Sequence, residues 1–374
     1  MTFRVRRPRW LTALVGVTLA FVSAGVPAAA ETNAEAPPTE CGGGWCREAL
    51  PQDPLPLGIS AMTMVGGRDV WAVGTGRFGV PLTLRWDGMS WQSVPAPDAN
   101  VDLFGMAGWS RNDVWAVGFE GSPGSETRSF TQHWNGREWK VVPSPNPADF
   151  HNDLRAVAAA GPNDVWAVGG TVDRKAGNRP LLLHWDGQEW SVVPTPLSDV
   201  PGTFQTVYAR SPHDVWVGGL ADGPVALHWD GRTWQRTDVP EQDPMSTIAM
   251  GADLDGRPLL AVSRVVGKYQ HRTHLWHWTG SEWRKLSVPA VDGRNLTLTM
   301  MAGNPTGRVW LAGKSGFSGV VLEWDGREWT RNALAGGGQG AVHGLAVSPG
   351  GREVWAGGSF RVGGGLRGMI FARR

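Results

Sequence analysis

Cysteine, tyrosine, lysine and isoleucine are scarce in this 374-residue chain. It contains two cysteines, two tyrosines, five lysines and three isoleucines, and charged residues make up only 18% of it. Lysine plus arginine (35) almost balances aspartate plus glutamate (34). This balance argues against a nucleic-acid partner, because nucleic-acid-binding proteins need a basic surface. After residue 40 the sequence also lacks the 3.6-residue spacing of apolar side chains that amphipathic helices show, so we expect almost no helix.

Glycine, proline and tryptophan are abundant instead. The chain has 52 glycines, 27 prolines and 22 tryptophans. Glycine and proline in this proportion are typical of proteins with many tight turns. Hydrophobic residues make up 41% of the chain, which is enough to form a core and excludes global disorder.

The first thirty residues have the pattern of a secretory signal peptide. Four arginines precede an apolar run at 11–26, and alanines 28–30 offer a cleavage site before Glu31. The run is short for a membrane span, and no cysteine stands at the cleavage site to carry a lipid. We therefore predict cleavage near Ala30, secretion and no stable membrane anchor. Without residues 1–30, which hold no acidic residue, 31 basic residues face 34 acidic ones, a net charge near −3.

One unit of about 48 residues is repeated along the rest of the chain. A first phrase, Asp-Val-Trp-Ala-Val-Gly, occurs in full or in variant form at 69–74, 113–118, 164–169, 214–218, 308–313 and 353–357. A second phrase, of the type Trp-Asp-Gly-x-x-Trp, follows at 86–91, 134–139, 185–190, 229–234, 278–283 and 324–329. Repeats of this period are typical of the blades of β-propellers.

Each unit is predicted to form four short strands. Turn residues separate the apolar segments, as in Gly-Pro-Asn-Asp at 161–164 and Asp-Gly at 186–187. A sheet this small cannot bury both faces alone, so it must stack on its neighbours. Buried indoles would supply the packing, since each removes roughly 150–250 Å² from water. We therefore assign the repeated tryptophans to the core, and name as structural Trp45, Trp71, Trp115, Trp166, Trp216, Trp310 and Trp355.

The two ends of the repeat region predict how the structure closes. The fifth copy lacks the Val-Trp pair, and the seventh stops at Arg374 before its fourth strand. Residues 41–51 align with 87–95 and can supply that strand, with Trp45 at the outer tryptophan position. The prediction is an all-β, seven-bladed β-propeller of four-stranded antiparallel blades, closed by an N-terminal strand. The predicted organisation is a signal peptide (1–30), a linker (31–40) and a single propeller domain (41–374).

Cys41 and Cys46 are the only cysteines. In an exported protein they are expected to form a short-range disulfide within the closing hairpin. Two free thiols or an intermolecular bridge are the alternatives.

The phrases resemble the tryptophan-rich repeats of secreted bacterial β-propellers, near the kelch, tectonin and lectin propellers. The resemblance covers about residues 41–374 and implies the fold more strongly than the function, because propellers include lectins, hydrolases, lyases and scaffolds. The chain lacks the Asp-box phrase of sialidases. With Tyr208 and Tyr269 as its only tyrosines, it cannot easily supply the copper site of a galactose oxidase.

The sequence contains no catalytic motif that stands out. A Gly-x-Ser-x-Gly elbow, a phosphate-binding loop and a zinc-protease helix are all missing. Four histidines precede the hairpin tryptophan (His133, His184, His228 and His277), but they lie a whole blade apart and cannot converge on one ion. Asp253 and Asp255 resemble the start of a calcium loop without its later ligands, so we assign them to a turn. We expect neither a metal nor a cofactor.

The loops between strands two and three and between strands four and one vary most among the copies. In a propeller both sets emerge on the same face, and divergent loops on a rigid frame are suited to recognition. Candidate ligand-binding residues, chosen for their donors and planar groups, are Arg174, Lys175, Tyr269, Gln270, His271 and Arg272. Ordinary surface chemistry is the alternative for them.

The predicted function is non-catalytic, lectin-like binding of a glycan or cell-envelope polysaccharide. A scaffold or targeting subunit that binds a secreted or surface protein is the alternative, and a polysaccharide hydrolase or lyase is the third possibility.

Overall fold

The computed structural model describes residues 40–374 except 98, 123, 242–245, 254, 268–269, 289–295, 305, 333 and 335. The predicted signal peptide, residues 31–39 of the linker and the candidate Tyr269 lie outside the described residues. The described part forms 29 β-strands, one short 3-10 turn (Arg77–Gly79) and no α-helix. Among these residues, no helix has the length and apolar character needed to cross a membrane.

Five sheets follow one another along the chain, and each has four antiparallel strands. The strands of the first two are β3 (Pro56–Val65), β4 (Asp69–Gly76), β5 (Pro81–Trp86) and β6 (Trp91–Ser93), then β7 (Val101–Ser110), β8 (Asp113–Glu120), β9 (Arg128–Trp134) and β10 (Trp139–Val141). Those of the third and fourth are β11 (His151–Gly161), β12 (Asp164–Asp173), β13 (Gly177–Trp185) and β14 (Trp190–Val192), then β15 (Thr203–Ser211), β16 (Asp214–Leu220), β17 (Pro224–Trp229) and β18 (Trp234–Asp238). The fifth contains β19 (Ser246–Ala252), β20 (Pro258–Gly267), β21 (Gln270–Trp278) and β22 (Trp283–Leu286).

The remaining nine strands form two further blades. The sixth contains β23 (Leu296–Gly303), β24 (Val309–Ser315), β25 (Ser318–Trp324) and β26 (Trp329–Asn332). The seventh contains β27 (Gln339–Val347), β28 (Val354–Val362) and β29 (Gly365–Arg373), to which the N-terminal hairpin of β1 (Cys41–Gly42) and β2 (Trp45–Arg47) is added. A single residue pair, Ser318 with Gln339, joins the two blades. The predicted seven-bladed, all-β propeller is therefore confirmed.

The innermost strands close the ring. Each contacts the innermost strand of the next blade in the order β3, β7, β11, β15, β19, β23 and β27, and β27 contacts β3 again. The closing strand also lies where the sequence predicts it. β2 pairs with β29 through Cys46 opposite Ala372 and Arg47 opposite Phe371, and the Cys41–Cys46 disulfide joins β1 to β2. The predicted intramolecular disulfide is therefore confirmed.

Tryptophans hold neighbouring blades together in a repeated arrangement. The tryptophan of the first phrase packs against both hairpin tryptophans of the next blade. In the first of these tryptophan trios, the Trp71 ring centroid lies 4.9 Å from that of Trp134 and 5.4 Å from that of Trp139. The other four trios are Trp115/Trp185/Trp190, Trp166/Trp229/Trp234, Trp216/Trp278/Trp283 and Trp355/Trp86/Trp91.

Two of the seven junctions between blades depart from the trio. Between blades six and seven, Trp310 shares a buried cluster with Trp45 and Phe371, and both indoles are fully buried. Between blades five and six, Leu259 takes the place of the first-phrase tryptophan, and Trp324 and Trp329 are only half-buried beside it. The degenerate fifth copy thus has a structural counterpart, a junction with one indole fewer.

Candidate functional site

The loops divide between two faces of the ring. We call the side with the loops between strands one and two and strands three and four the hairpin face. These loops are short in most blades, as at 111–112 and 135–138. We call the opposite side the variable-loop face, whose connections differ in length between blades, from 221–223 to 121–127 and 193–202. The candidate ligand-binding residues that the structure describes come from this second set of loops and the strand ends beside them.

The repeated histidines have a structural role within their own blades. In the second blade His133 lies 2.8 Å from an oxygen of Asp113 and stacks on Trp115, with ring centroids 4.4 Å apart. The same contact with the first-phrase aspartate recurs in the third and fourth copies, and in the fifth the partner is Asp253 (His184–Asp164, His228–Asp214 and His277–Asp253). In the first blade Arg85 replaces the histidine and binds Asp69 at 2.8 Å. The structure therefore uses this position to fix the aspartate and the indole.

Arg174 is already bound to carboxylates of the neighbouring loops. Its guanidinium donates to an oxygen of Glu126 at 2.7 Å and to the carbonyl of Asp149 at 3.2 Å, and it lies over the ring of Phe150. The hydrogen bond from Arg174 and then its charge lower the pKa of Glu126. Lys175 is exposed in the same turn, which the carboxylate of Asp173 stabilises by accepting the backbone N–H of Lys175. Arg174 thus links the loops of blades two and three.

The blade-five candidates lie two blades away from Arg174 and Lys175. Arg272 is exposed on β21 opposite Arg264, and Gln270 begins that strand. His271 lies near Lys314 of blade six. Burial, and secondly the charge of Lys314, lower the pKa of His271. The structure therefore separates the described candidates into two groups, and His271 of the second group lies near a cation of a different blade.

Lys314 also lines a cavity of about 270 Å³, which we call the basic cavity. Its lining comes from the variable-loop ends of blades six and seven, and its charged, polar and larger apolar side chains are Lys314, Phe317, Gln339, His343, Ser359, Arg361 and Leu366. Gln339, Arg361 and Leu366 are in register across β27, β28 and β29, so they share one face of the sheet. Among the described lining residues there are two cations and no carboxylate.

The histidine of the basic cavity, His343, has a lowered pKa. Burial, and secondly the charge of Lys314, lower the pKa of His343 below its ordinary value of 6.5. Its imidazole is therefore neutral at neutral pH and can either donate or accept a hydrogen bond. The fixed positive charge of the cavity comes from Lys314 and Arg361.

A β-bulge in six innermost strands adds one side chain per blade near the centre of the ring. The extra residues are Ser60, Phe104, Arg155, Gln205, Thr299 and His343. Bulges re-aim side chains locally, and two of these residues also connect blades. Gln205 accepts the backbone N–H of Ile248 at 2.9 Å, and Thr299 donates to the carbonyl of Val342. These six residues were not identified from the sequence. The alternation of apolar and polar residues along a strand does not show where one extra residue is inserted.

A larger cavity of about 490 Å³ opens on the hairpin face between blades four and six. Its polar side chains include Tyr208, Arg210, Asp253, Asp255 and Asn304. The charged groups are compensated by neighbours: Asp253 lies 2.7 Å from His277, Asp255 lies 3.7 Å from Arg257, and Arg210 lies 3.6 Å from Asp214. The predicted turn is present here, since Asp253 accepts the backbone N–H groups of Asp255 and Arg257. The described side chains of this cavity therefore carry no strong net charge.

Another cavity of the variable-loop face is lined mainly by residues with apolar side chains. It measures about 460 Å³ and lies between blades one and two, lined by Pro54, Phe78, Gly79, Val80, Pro81, Ala96, Pro97, Ala99 and Asn100. Phe78 is 86% exposed at its edge and adopts a positive φ of 64°, which is unusual for a residue with a bulky side chain.

Comparison with known proteins supports the fold. No protein-family model and no curated protein matches the chain. Solved structures with a similar fold include YCF48 bound to D1 peptide (TM-score 0.57, 18% identity, 90% of this chain and 98% of that chain covered). YCF48 from Cyanidioschyzon merolae (0.58, 14%, 88% and 98%) and U3-55K (0.56, 11%, 85% and 96%) are also similar. Structural similarity at such low identity shows the fold, a β-propeller with tryptophan-rich blades. It does not show the ligand, for which the arguments come from the candidate site.

Proposed function

We propose that this protein is a secreted, non-catalytic recognition protein that binds a glycan or cell-envelope polysaccharide through its variable-loop face. The observation that carries the proposal is the distribution of surface features. This face combines non-repeated loops, the basic cavity and the exposed aromatic side chains Phe78 and Phe317, which are 86% and 74% exposed. Hydroxylated ligands need donors and acceptors beside an apolar surface, and this face supplies both.

The proposal of secretion rests on two features. The arginine-rich and apolar start of the chain has the signal-peptide pattern, and the Cys41–Cys46 disulfide fits an oxidising compartment. The resemblance of the repeats to those of secreted bacterial propellers agrees with both. The proposal therefore includes that the protein is related to the secreted bacterial propellers with tryptophan-rich repeats.

A glycan array probed with the secreted protein tests the proposed function. We expect binding to a limited set of cell-envelope glycans. Phe317→Ala should weaken it, because Phe317 lies on the variable-loop face. Trp109→Ala is the matched control, since Trp109 is a 53% exposed aromatic residue near the end of β7 that leads to the hairpin face. A silent array, or equal loss of binding in both variants, would overturn the proposed use of the variable-loop face.

Protein binding is the second candidate, and the cavity between blades one and two favours it, because its lining includes three prolines and Phe78. Proline and aromatic side chains are the surfaces on which extended, proline-rich peptides pack. One propeller of similar fold, YCF48, has been solved with D1 peptide. A silent glycan array together with a protein recovered by pull-down, and lost with Phe78→Ala, would favour this candidate over glycan binding.

A further inference from the structure

We propose that the basic cavity binds the carboxylate of an acidic sugar residue, as in a uronate-containing polysaccharide. The inference rests on the proposed function and specifies its ligand class and its site. Lys314, Arg361 and His343 are the residues assigned to the carboxylate, with Gln339 and Ser359 assigned to the hydroxyl groups of the same sugar.

The first argument comes from comparing Lys314 with the same register position in the other blades. That position lies four residues after the first-phrase tryptophan, or after Leu259 in the fifth blade, and pairs with the innermost strand. The other blades have small or uncharged residues there, namely Thr75, Phe119, Gly170, Leu220, Ser263 and Ser359. Because six blades fold without a cation at this position, the propeller does not require Lys314.

The second argument is that the two cations of the cavity have no carboxylate partner among the residues that the structure describes. Within the described part of the chain, no carboxylate lies within 4 Å of Lys314 or of Arg361. Some other arginines of the ring do have a carboxylate partner, such as Arg174 with Glu126 and Arg373 with Glu323. Two like charges that border one cavity repel each other, and an anion between them would offset that repulsion. A carboxylate also fits a guanidinium in a bidentate geometry.

The third argument concerns the neutral part of the lining. His343, Gln339 and Ser359 offer hydrogen bonds without charge, and His343 is neutral near pH 7 because burial and Lys314 lower its pKa. Phe317 and Leu366 add exposed apolar surface. An acidic sugar has the matching parts: one carboxylate, several hydroxyls and an apolar ring face. A phosphate group alone would leave the hydroxyl-binding groups and the apolar surface unused.

The test measures binding of a uronate oligosaccharide by isothermal titration calorimetry. The probes are an oligogalacturonate and a neutral galactose oligomer of equal length, titrated into the wild type, Lys314→Ala, Arg361→Ala and the control Lys140→Ala. Lys140 is an exposed lysine on the outer strand β10, paired with Glu138. Removing one charge-assisted hydrogen bond should weaken binding about tenfold or more, and the control should leave it unchanged. All three residues are exposed, and equal melting temperatures check that the variants remain folded.

The outcomes separate this site from the proposed function. Uronate binding that weakens in both cavity variants, with no binding of the neutral oligomer, supports the site. Glycan binding that is the same in the wild type and both variants overturns the site and leaves the proposed function standing. The absence of binding to every glycan on the array overturns both. Binding of acidic peptides alone replaces the acidic sugar with a protein partner and overturns the proposal.

Discussion

Replacing Trp45 by alanine should destabilise the whole ring, because Trp45 anchors the strand that closes it. Its side chain is fully buried with Trp310 and Phe371. An indole buries roughly 150–250 Å², worth about 4–6 kcal/mol as an upper estimate at about 25 cal/mol per Å². Measured core truncations of this size cost about 3–5 kcal/mol. The indole N–H has no hydrogen-bond partner among the described residues, so the loss is one of packing.

The assay is thermal unfolding followed by near-ultraviolet circular dichroism. For a ring of about 330 residues, the entropy of unfolding is about 0.7 kcal/mol per kelvin, so a loss of 3–5 kcal/mol should lower the melting temperature by about 4–7 °C. Trp109→Ala is the control, because its indole is 53% exposed and its removal should cost less than about 1 kcal/mol. Equal melting temperatures for Trp45→Ala and Trp109→Ala would refute the role given to the closing strand.

Three further predictions concern the disulfide, the half-buried His343 and the ion-paired Arg174. Replacing Cys41 and Cys46 by serine should lower the free energy of unfolding by about 2 kcal/mol, because the closed loop is short; an unchanged urea midpoint would contradict this. The folded state lowers the pKa of His343, so the unfolded chain binds its proton more readily, and this group's stabilisation is lost as the pH falls below about 6.5. When the pH falls from 7.5 to 5.5, the melting temperature of His343→Gln should therefore decrease less than that of the wild type. An equal decrease in both proteins would show that His343 does not cause this pH dependence. Arg174→Ala should leave glycan affinity unchanged in a calorimetric titration, because the Arg174 guanidinium is already paired with Glu126 and Asp149. A tenfold decrease in affinity would show that Arg174 belongs to the binding surface.

The repeat is the reason that so much of the fold could be predicted. Each copy carries its tryptophans at fixed positions and its turn residues between them, and the same contacts therefore recur at blade after blade. The closing strand could also be predicted, because the seventh copy lacks its fourth strand and the segment around Trp45 has the pattern of that strand. The nine-stranded sheet was not foreseeable, since the single pair of Ser318 and Gln339 that joins two blades has no sequence pattern.

The candidate site was less predictable, because it depends on neighbours that are distant in sequence. Arg174 has the hydrogen-bond donors that are typical of a ligand-binding residue. The fold, however, places its guanidinium 2.7 Å from an oxygen of Glu126, which is 48 residues away in the chain. Lys314 attracts no attention in the sequence, since it occupies a position that varies among the copies. Its significance comes from the fold, which places it in one cavity with His343 and Arg361, and the described residues of that cavity include no carboxylate. The repeat itself offered one signal: no other copy has a cation at this register.

The most direct test of the account is a hydrogen–deuterium exchange footprint of the protein with a glycan identified on the array. Binding through the basic cavity should slow exchange of backbone amides in residues 314–317, 339–343 and 359–366, and leave the hairpin-face turns at 66–68, 111–112 and 212–213 unchanged. Protection confined to those turns, or to the cavity of Tyr208 and Arg210, would place recognition on the opposite face and contradict the account.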